Sequence, residues 1–170
     1  MAMIEGFNLL GDDQARTLIL GSVPSVISLD EQQYYAHPRN AFWPIIAALF
    51  NQGVALDYQQ GQQILIEQKI AVWDVLKSCR RQGSLDSAIE KHSITANDFL
   101  DFFDVHKGVG RVFFNGGTAE RLYKAHVWRA LPVSTQTLSY TKLPSTSPAF
   151  AAMSYADKLA AWAVIKDMAE

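Results

Sequence analysis

"ARTLILGSVPS", residues 15–25, decides how the rest of the chain is read. Its first seven residues form a short apolar run closed by glycine, which predicts a buried β-strand. The strand delivers the chain into a stiff, polar turn. Gly21 permits close backbone approach, Pro24 restrains the loop, and Ser22 and Ser25 offer hydroxyls. The turn lacks the GxxxxGK[ST] of a Walker A loop and the GxGxxG of a dinucleotide fingerprint.

Working outward, "IAVWDVL" (70–76) and "RVFFNGG" (111–117) predict two more strands, and "PVSTQTL" (132–138) a fourth. Helices fall between them. "FWPIIAALFNQ" (42–52) is one, with Pro44 tolerable in the first turn. "DYQQGQQILIEQK" (57–69) begins at a good cap, Asp57. "TANDFLDFFDVH" (95–106) has Thr95 as its expected cap, and "TAERLYKAHVW" (118–128) stops before Pro132. Residues 77–92, "KSCRRQGSLDSAIEKH", make a turn-rich basic segment leading to a short helix. The last segment sets Tyr155, Leu159, Trp162, Ile165 and Ala169 at helical spacing. Apolar strands alternating with helices indicate an α/β domain with a central, mostly parallel four-stranded sheet.

The bulk numbers agree. A length of 170 residues suits a single domain, here 1–170, and 49% hydrophobic against 19% charged residues is enough for a packed core. A formal charge of −2 means that any nucleic-acid binding needs a local basic patch. One cysteine, Cys79, forbids an internal disulfide and a four-cysteine iron–sulfur cluster, and fits a reduced cytoplasmic setting. No run approaches the ~18 apolar residues of a membrane span. The acidic N-terminal stretch does not resemble a signal peptide.

Ligands of parallel sheets sit outside the strand C-terminal ends. The loops expected there are "GSVPS" with its continuation, "NGG", and "LPSTSPA" (143–149). Within the first continuation lies "YYAHPRNAFW" (34–43), which packs four aromatics, a histidine, an arginine and an asparagine around a proline. It has neither strand alternation nor helical spacing. Tyr35 can stack on a base, Asn40 can orient a water or a base edge, and His37 can donate to a phosphate or a leaving oxygen. Phe42 and Trp43 fit a core role. Lys142, Arg39 and the 77–81 basic group are the cations near this face, the last read equally as solvated charge. Metal-ligand spacing, a GxSxG elbow and a carboxylate pair in a strand-end loop are all missing. No metal or cofactor is expected.

These elements together resemble the uracil-DNA glycosylase superfamily. The motifs are a strand ending in "GSVPS", the element "YAHPRNAFW", the strand end "FFNGG", and an x-P-S loop before the last helix, "LPSTSPA". The "DVLKSCRRQGSLDSAI" segment is similar too. The nearest branches are the mismatch-specific uracil/thymine glycosylases and the hypoxanthine-DNA glycosylases. The resemblance implies a three-layer α/β/α fold and a DNA partner containing deaminated bases; a monomer is expected. It also implies flipping of the target nucleotide and hydrolysis of its glycosidic bond. The mismatch-specific branch has an asparagine before the proline of the first motif, where this chain has Val23. Leu143 likewise replaces a polar residue in the last motif. The hypoxanthine branch fits better, and by that match Asn40 is the foremost catalytic candidate, with His37 beside it. Ser22, Val23, Tyr35 and Asn115 would bind the base. Ser25, Arg39, Lys142, Ser145 and Ser147 would hold DNA phosphates. No lysine stands where a Schiff base would form, so a monofunctional hydrolase is implied. Two other readings stay open: a damaged-DNA-binding module without chemistry, and a hydrolase of free nucleosides or nucleotides.

Overall fold

The structure, a computed structural model, describes residues 3–166. In chain order its elements are β1 (Met3–Glu5), β2 (Thr17–Gly21), α1 (Val26–Glu31), α2 (Phe42–Phe50), α3 (Tyr58–Glu67), β3 (Ile70–Asp74) and β4 (Leu76–Arg80). Then come β5 (Thr95–Ala96), α4 (Phe99–Val105), β6 (Arg111–Asn115), α5 (Gly117–His126), α6 (Val133–Gln136), β7 (Ser139–Leu143) and α7 (Tyr155–Trp162). The central sheet has four strands in the order β3-β2-β6-β7. Every pairing in it is parallel.

Alternation along the strands builds the layers. Leu18, Leu20, Val112 and Phe114 face one side, where they pack with Phe99 and Phe102 of α4 and Ala119 and Tyr123 of α5. Ile19, Val72 and Phe113 face the other, against Phe42, Ile45 and Ile46 of α2, Leu65 of α3 and Trp162 of α7. Both faces are covered, so the strands read as continuous apolar runs. The result is the expected three-layer α/β/α arrangement. From β2 the chain passes to β3 on one side and later returns to β6 on the other, which puts a topological switch point beside the β2 C-terminal end.

Local departures from the sequence reading have physical causes. The fourth strand is Ser139–Leu143, not 132–138. Pro132 instead caps the single turn of α6. The true strand is an edge strand with one buried residue, so it lacked the apolar run of its neighbours. The run 70–76 is two strands, not one. It breaks at Val75, whose N–H bonds the Gly21 carbonyl, and Leu76 enters a second sheet of order β1-β4-β5. That antiparallel sheet was not foreseen. Asp98, not Thr95, caps α4, its side chain accepting from the Asp101 N–H at 3.0 Å. Asp57 caps α3 in a reciprocal box with Gln60, as its position suggested. Of the last helical stripe, Ala169 lies outside the described residues.

Candidate active site

The parallel strands end in one row. Gly21 is registered with Asp74, Leu20 with Phe114, and Asn115 with Leu143. Above that row opens a cavity of about 140 Å³. A ring-sized molecule fits such a space, since a cavity of roughly 150 Å³ holds benzene. Ser22, Val23, Ser25, Tyr35, Asn40, Asn115, Ser145 and Ser147 all line it. Three loops far apart in sequence therefore converge on one place.

The first loop forms one wall. Ser25 caps α1, accepting from the Ser28 N–H at 3.2 Å. The buried Ser28 hydroxyl in turn accepts from Ala36 N–H at 3.1 Å, which ties α1 to the aromatic loop. Ser22 donates to Asp86 Oδ1 at 2.8 Å, and Val26 N–H donates to Ser84 Oγ at 2.9 Å. Residues 84–86 are thereby strapped along the cavity wall. Val23 is buried and contributes no polar side chain. Arg81, one of the candidate phosphate contacts, is 4% exposed and gives its guanidinium to the carbonyls of Pro24 and Gly83, at 2.7 Å each. It braces the wall from within the protein.

Asn40 is held by the start of α2. Its Oδ1 accepts from Phe42 N–H at 2.9 Å. A backbone N–H can only donate, so this bond settles which amide atom is the oxygen. The NH2 group and the second lone pair of Oδ1 have no partner among the described residues. His37 lies on the far side of Tyr35 and Asn40, which line both the cavity and the depression beside it. It lines that depression with Trp43 and Tyr58, and its Nδ1 accepts from Arg39 N–H at 3.0 Å. The histidine shapes the loop and is not among the residues lining the cavity. Arg39 is exposed, with its side chain outside both the cavity and the adjoining cleft.

Thr146 joins the other two loops. Asn115 Nδ2 donates to Thr146 Oγ1, and Thr146 N–H donates back to Asn115 Oδ1, both at 2.9 Å. The Thr146 carbonyl accepts from Ala41 N–H, also at 2.9 Å. One buried residue thus binds the β6 end, the 143–149 loop and the entry to α2. Asn115 keeps one N–H and one lone pair for a ligand. Gly116 adopts φ +95°, and a Cβ there would lie 3.0 Å from Ser145 Cβ, so the close loop approach requires glycine. On the outer side Lys158 is 6% exposed and donates to the Ser147 carbonyl at 3.3 Å. Burial lowers its ammonium pKa.

Asp74 and Tyr35 meet under Gly21. A Cβ on Gly21 would lie 2.5 Å from Asp74 Oδ1 and 2.9 Å from the Tyr35 hydroxyl. Tyr35 adopts φ +55°, a conformation uncommon for a non-glycine residue, and its ring lies against Phe42 at 4.3 Å between centroids. Burial raises the Asp74 carboxyl to about 7; Asp86 adds to the rise and Arg81 opposes it. Burial, then the charge of Asp74, raises the Tyr35 hydroxyl pKa, so it stays a donor.

A shallower cleft of about 480 Å³ adjoins the cavity and shares Asn115, Ser145 and Ser147 with it. Lys142 and Arg121 line this cleft where α5 begins at Gly117. Both cations are exposed. Among the described residues no group of three or more His, Cys, Asp or Glu side chains is placed to hold a metal ion, and no helix is long and apolar enough to cross a membrane.

Comparison with known proteins decides the family. The model of the Uracil DNA glycosylase superfamily matches residues 9–167. The chain belongs to that superfamily. It is 34% identical over 113 residues to the Hypoxanthine DNA glycosylase of Methanosarcina barkeri, across 66% of this chain and 70% of that one. The protein of the same name from Methanosarcina acetivorans is 35% identical over 115 residues, across 67% and 72%. A solution NMR structure from Methanosarcina acetivorans, provisionally described as a uracil DNA glycosylase, superposes with a TM-score of 0.75 at 29% identity. It covers 98% of this chain and 100% of its own.

The sequence reading missed Asp74, Thr146 and Arg121. Asp74 carried a usable signal: a carboxylate at the C-terminal end of an apolar parallel strand, where ligands of such sheets bind. Thr146 carried none, because nothing local shows which loop residue will bridge two others.

Proposed function

We propose that the protein is a monofunctional DNA glycosylase that releases deaminated bases, hypoxanthine foremost and uracil as well. The observation that carries this reading is the position of Asn40. Its amide is pinned by Phe42 N–H at the edge of a ring-sized cavity and keeps free hydrogen-bonding capacity there. In this reading the target nucleotide swings out of the duplex and its base enters the cavity. The free lone pair of Asn40 Oδ1 accepts a hydrogen bond from a water, leaving the water oxygen turned toward the sugar C1′. As the bond from C1′ to the base nitrogen breaks, its electron pair leaves with the base and the sugar becomes oxocarbenium-like. The water oxygen then bonds to C1′, and its proton passes through solvent to the departing base anion, which leaves as the neutral base. A neutral amide is a poor base, so Asn40 contributes by fixing geometry, a factor that can lower a barrier by several kcal/mol. Amides of Ser22 and Val23 donate to no acceptor among the described residues and are suited to the negative charge growing on the base. Lys142, Arg121 and the start of α5 supply phosphate contacts in the adjoining cleft.

The support is membership in the superfamily, together with relatives named for hypoxanthine. The test is incubation with duplexes carrying one inosine or one uracil, and with free deoxyinosine. Release of free base with an alkali-labile site in the DNA is expected. Turnover of free deoxyinosine with intact DNA would make the protein a nucleoside hydrolase. Tight duplex binding without base release would make it a binding module.

A further inference from the structure

The cavity floor holds two polar atoms with no partner. The Tyr35 hydroxyl and Asp74 Oδ2 are shielded from solvent and complete no hydrogen bond of good geometry among the described residues, although the Asn115 amide lies near enough to Tyr35 to act on its hydroxyl; Arg81 Nη1 is left unpaired in the same way. Native proteins rarely leave such atoms unpaired without a reason. Both residues line the cavity, and Asp74 Oδ1 and the Tyr35 hydroxyl fill the space that a side chain on Gly21 would take. One is a donor, since burial and the Asp74 charge keep the phenol protonated. The other, when ionised, can only accept. The floor therefore presents a donor beside an acceptor.

Deamination creates the complementary pattern. Adenine and cytosine carry a bare ring nitrogen next to an amino group. Hypoxanthine and uracil carry a ring N–H next to a carbonyl. We propose that Asp74 and Tyr35 read this lactam edge: Asp74 accepts from the ring N–H (N1–H of hypoxanthine, N3–H of uracil), and the Tyr35 hydroxyl donates to the neighbouring carbonyl oxygen. The inference rests on the glycosylase reading and deepens it. It accounts for both unpaired atoms at once, because bound base supplies the donor that Asp74 lacks and the acceptor that Tyr35 lacks. With Asp74 ionised, an adenine in the same pose sets its N1 lone pair against the carboxylate and its amino group against the Tyr35 hydroxyl, and is rejected. Guanine and thymine carry the same lactam, so this pair separates deaminated bases from adenine and cytosine only. Exclusion of guanine and thymine falls to cavity shape.

The test compares kcat/KM for duplexes carrying hypoxanthine or N1-methylhypoxanthine, which has no ring N–H. Wild type is expected to prefer hypoxanthine by roughly a hundredfold or more, as sites built to bond a polar group reject analogues lacking it. Asp74→Ala removes the acceptor and makes room for the methyl, so the ratio is expected to fall toward one. Asp74→Asn is expected to keep the preference, since its amide oxygen still accepts the N–H. Tyr35→Phe is expected to lower hypoxanthine release by roughly tenfold while leaving the ratio in place. Thermal melts identify any variant that fails to fold, and Asp74→Asn serves as the folded comparison. A wild-type ratio in Asp74→Ala would overturn the inference while leaving the glycosylase reading intact. Wild type inert on both substrates, on uracil and on every other deaminated base would instead defeat that reading itself.

Discussion

A carboxyl buried at a strand end without a donor carries a pH-dependent penalty. Asp74 ionises near 3.9 in an unfolded chain, and burial holds it to about 7 in the fold. Between those values the unfolded chain has lost the proton and the folded one keeps it. Stability contributed by this group is therefore greatest below about pH 4, declines as pH rises to 7, and stays reduced above. Asp74→Asn removes the penalty. Melts at pH 8 are expected to show a Tm gain of several degrees, at about 2–4 °C per kcal/mol, with no gain near pH 4. Equal gains at both pH values would contradict the burial argument. Gly21 makes a sharper case. A methyl there would meet Asp74 Oδ1 at 2.5 Å and the Tyr35 hydroxyl at 2.9 Å. Gly21→Ala is expected to raise KM for an inosine duplex by roughly tenfold or more and to lower stability by about 1–3 kcal/mol, checked by steady-state kinetics and denaturant unfolding.

Elements differ in how far they serve the site. The α3 capping box of Asp57 and Gln60 lies outside both the cavity and the cleft. Asp57→Ala is expected to cost about 1 kcal/mol and to leave base release unchanged. Thr146→Val removes one of three bonds that join the loops and orphans Asn115 Nδ2. It is expected to slow base release several-fold at a stability cost of about 1–3 kcal/mol. The same contrast explains what could be read from sequence. Strands β2, β3 and β6 were legible because burial on both faces leaves an apolar run that no loop imitates. Edge strand β7 carries alternating polar residues and lost out to the Val/Thr-rich stretch before it, where Pro132 starts a helical turn. The second sheet was invisible, since its strands pair across the chain at Met3 and Arg80 with no shared local signal. In the site, the loops were legible as clusters of Gly, Pro, Ser and Asn. Their internal wiring was not. His37 accepts a hydrogen bond within its own loop, and Arg81 is tied to the carbonyls of Pro24 and Gly83, contacts that no local pattern announces.

At the scale of the whole molecule, charge must be local. The chain carries a formal −2, so bulk attraction to DNA is absent, and on the proposed reading binding draws on the cleft cations Lys142 and Arg121. Log affinity for duplex should fall linearly with log salt, and each of Lys142→Ala and Arg121→Ala should reduce the slope by about 0.9, measured by titrations at several salt concentrations. The parallel sheet brings four strand ends to one level, and its loops close a cavity there, with Asn40 fixed by a helix start and Asp74 by a strand end. The loops of this cup are tied by side-chain hydrogen bonds, which serves water orientation, because misplacement by about 1 Å can cost a hundredfold in rate. The most direct measurement is the single-turnover rate of hypoxanthine release from an inosine duplex at saturating enzyme, for wild type and Asn40→Ala, with duplex affinity measured in parallel. A rate lower by roughly a hundredfold or more in Asn40→Ala, with affinity within a few-fold of wild type, is the expected result. An undiminished rate would contradict the role of Asn40 in holding the attacking water.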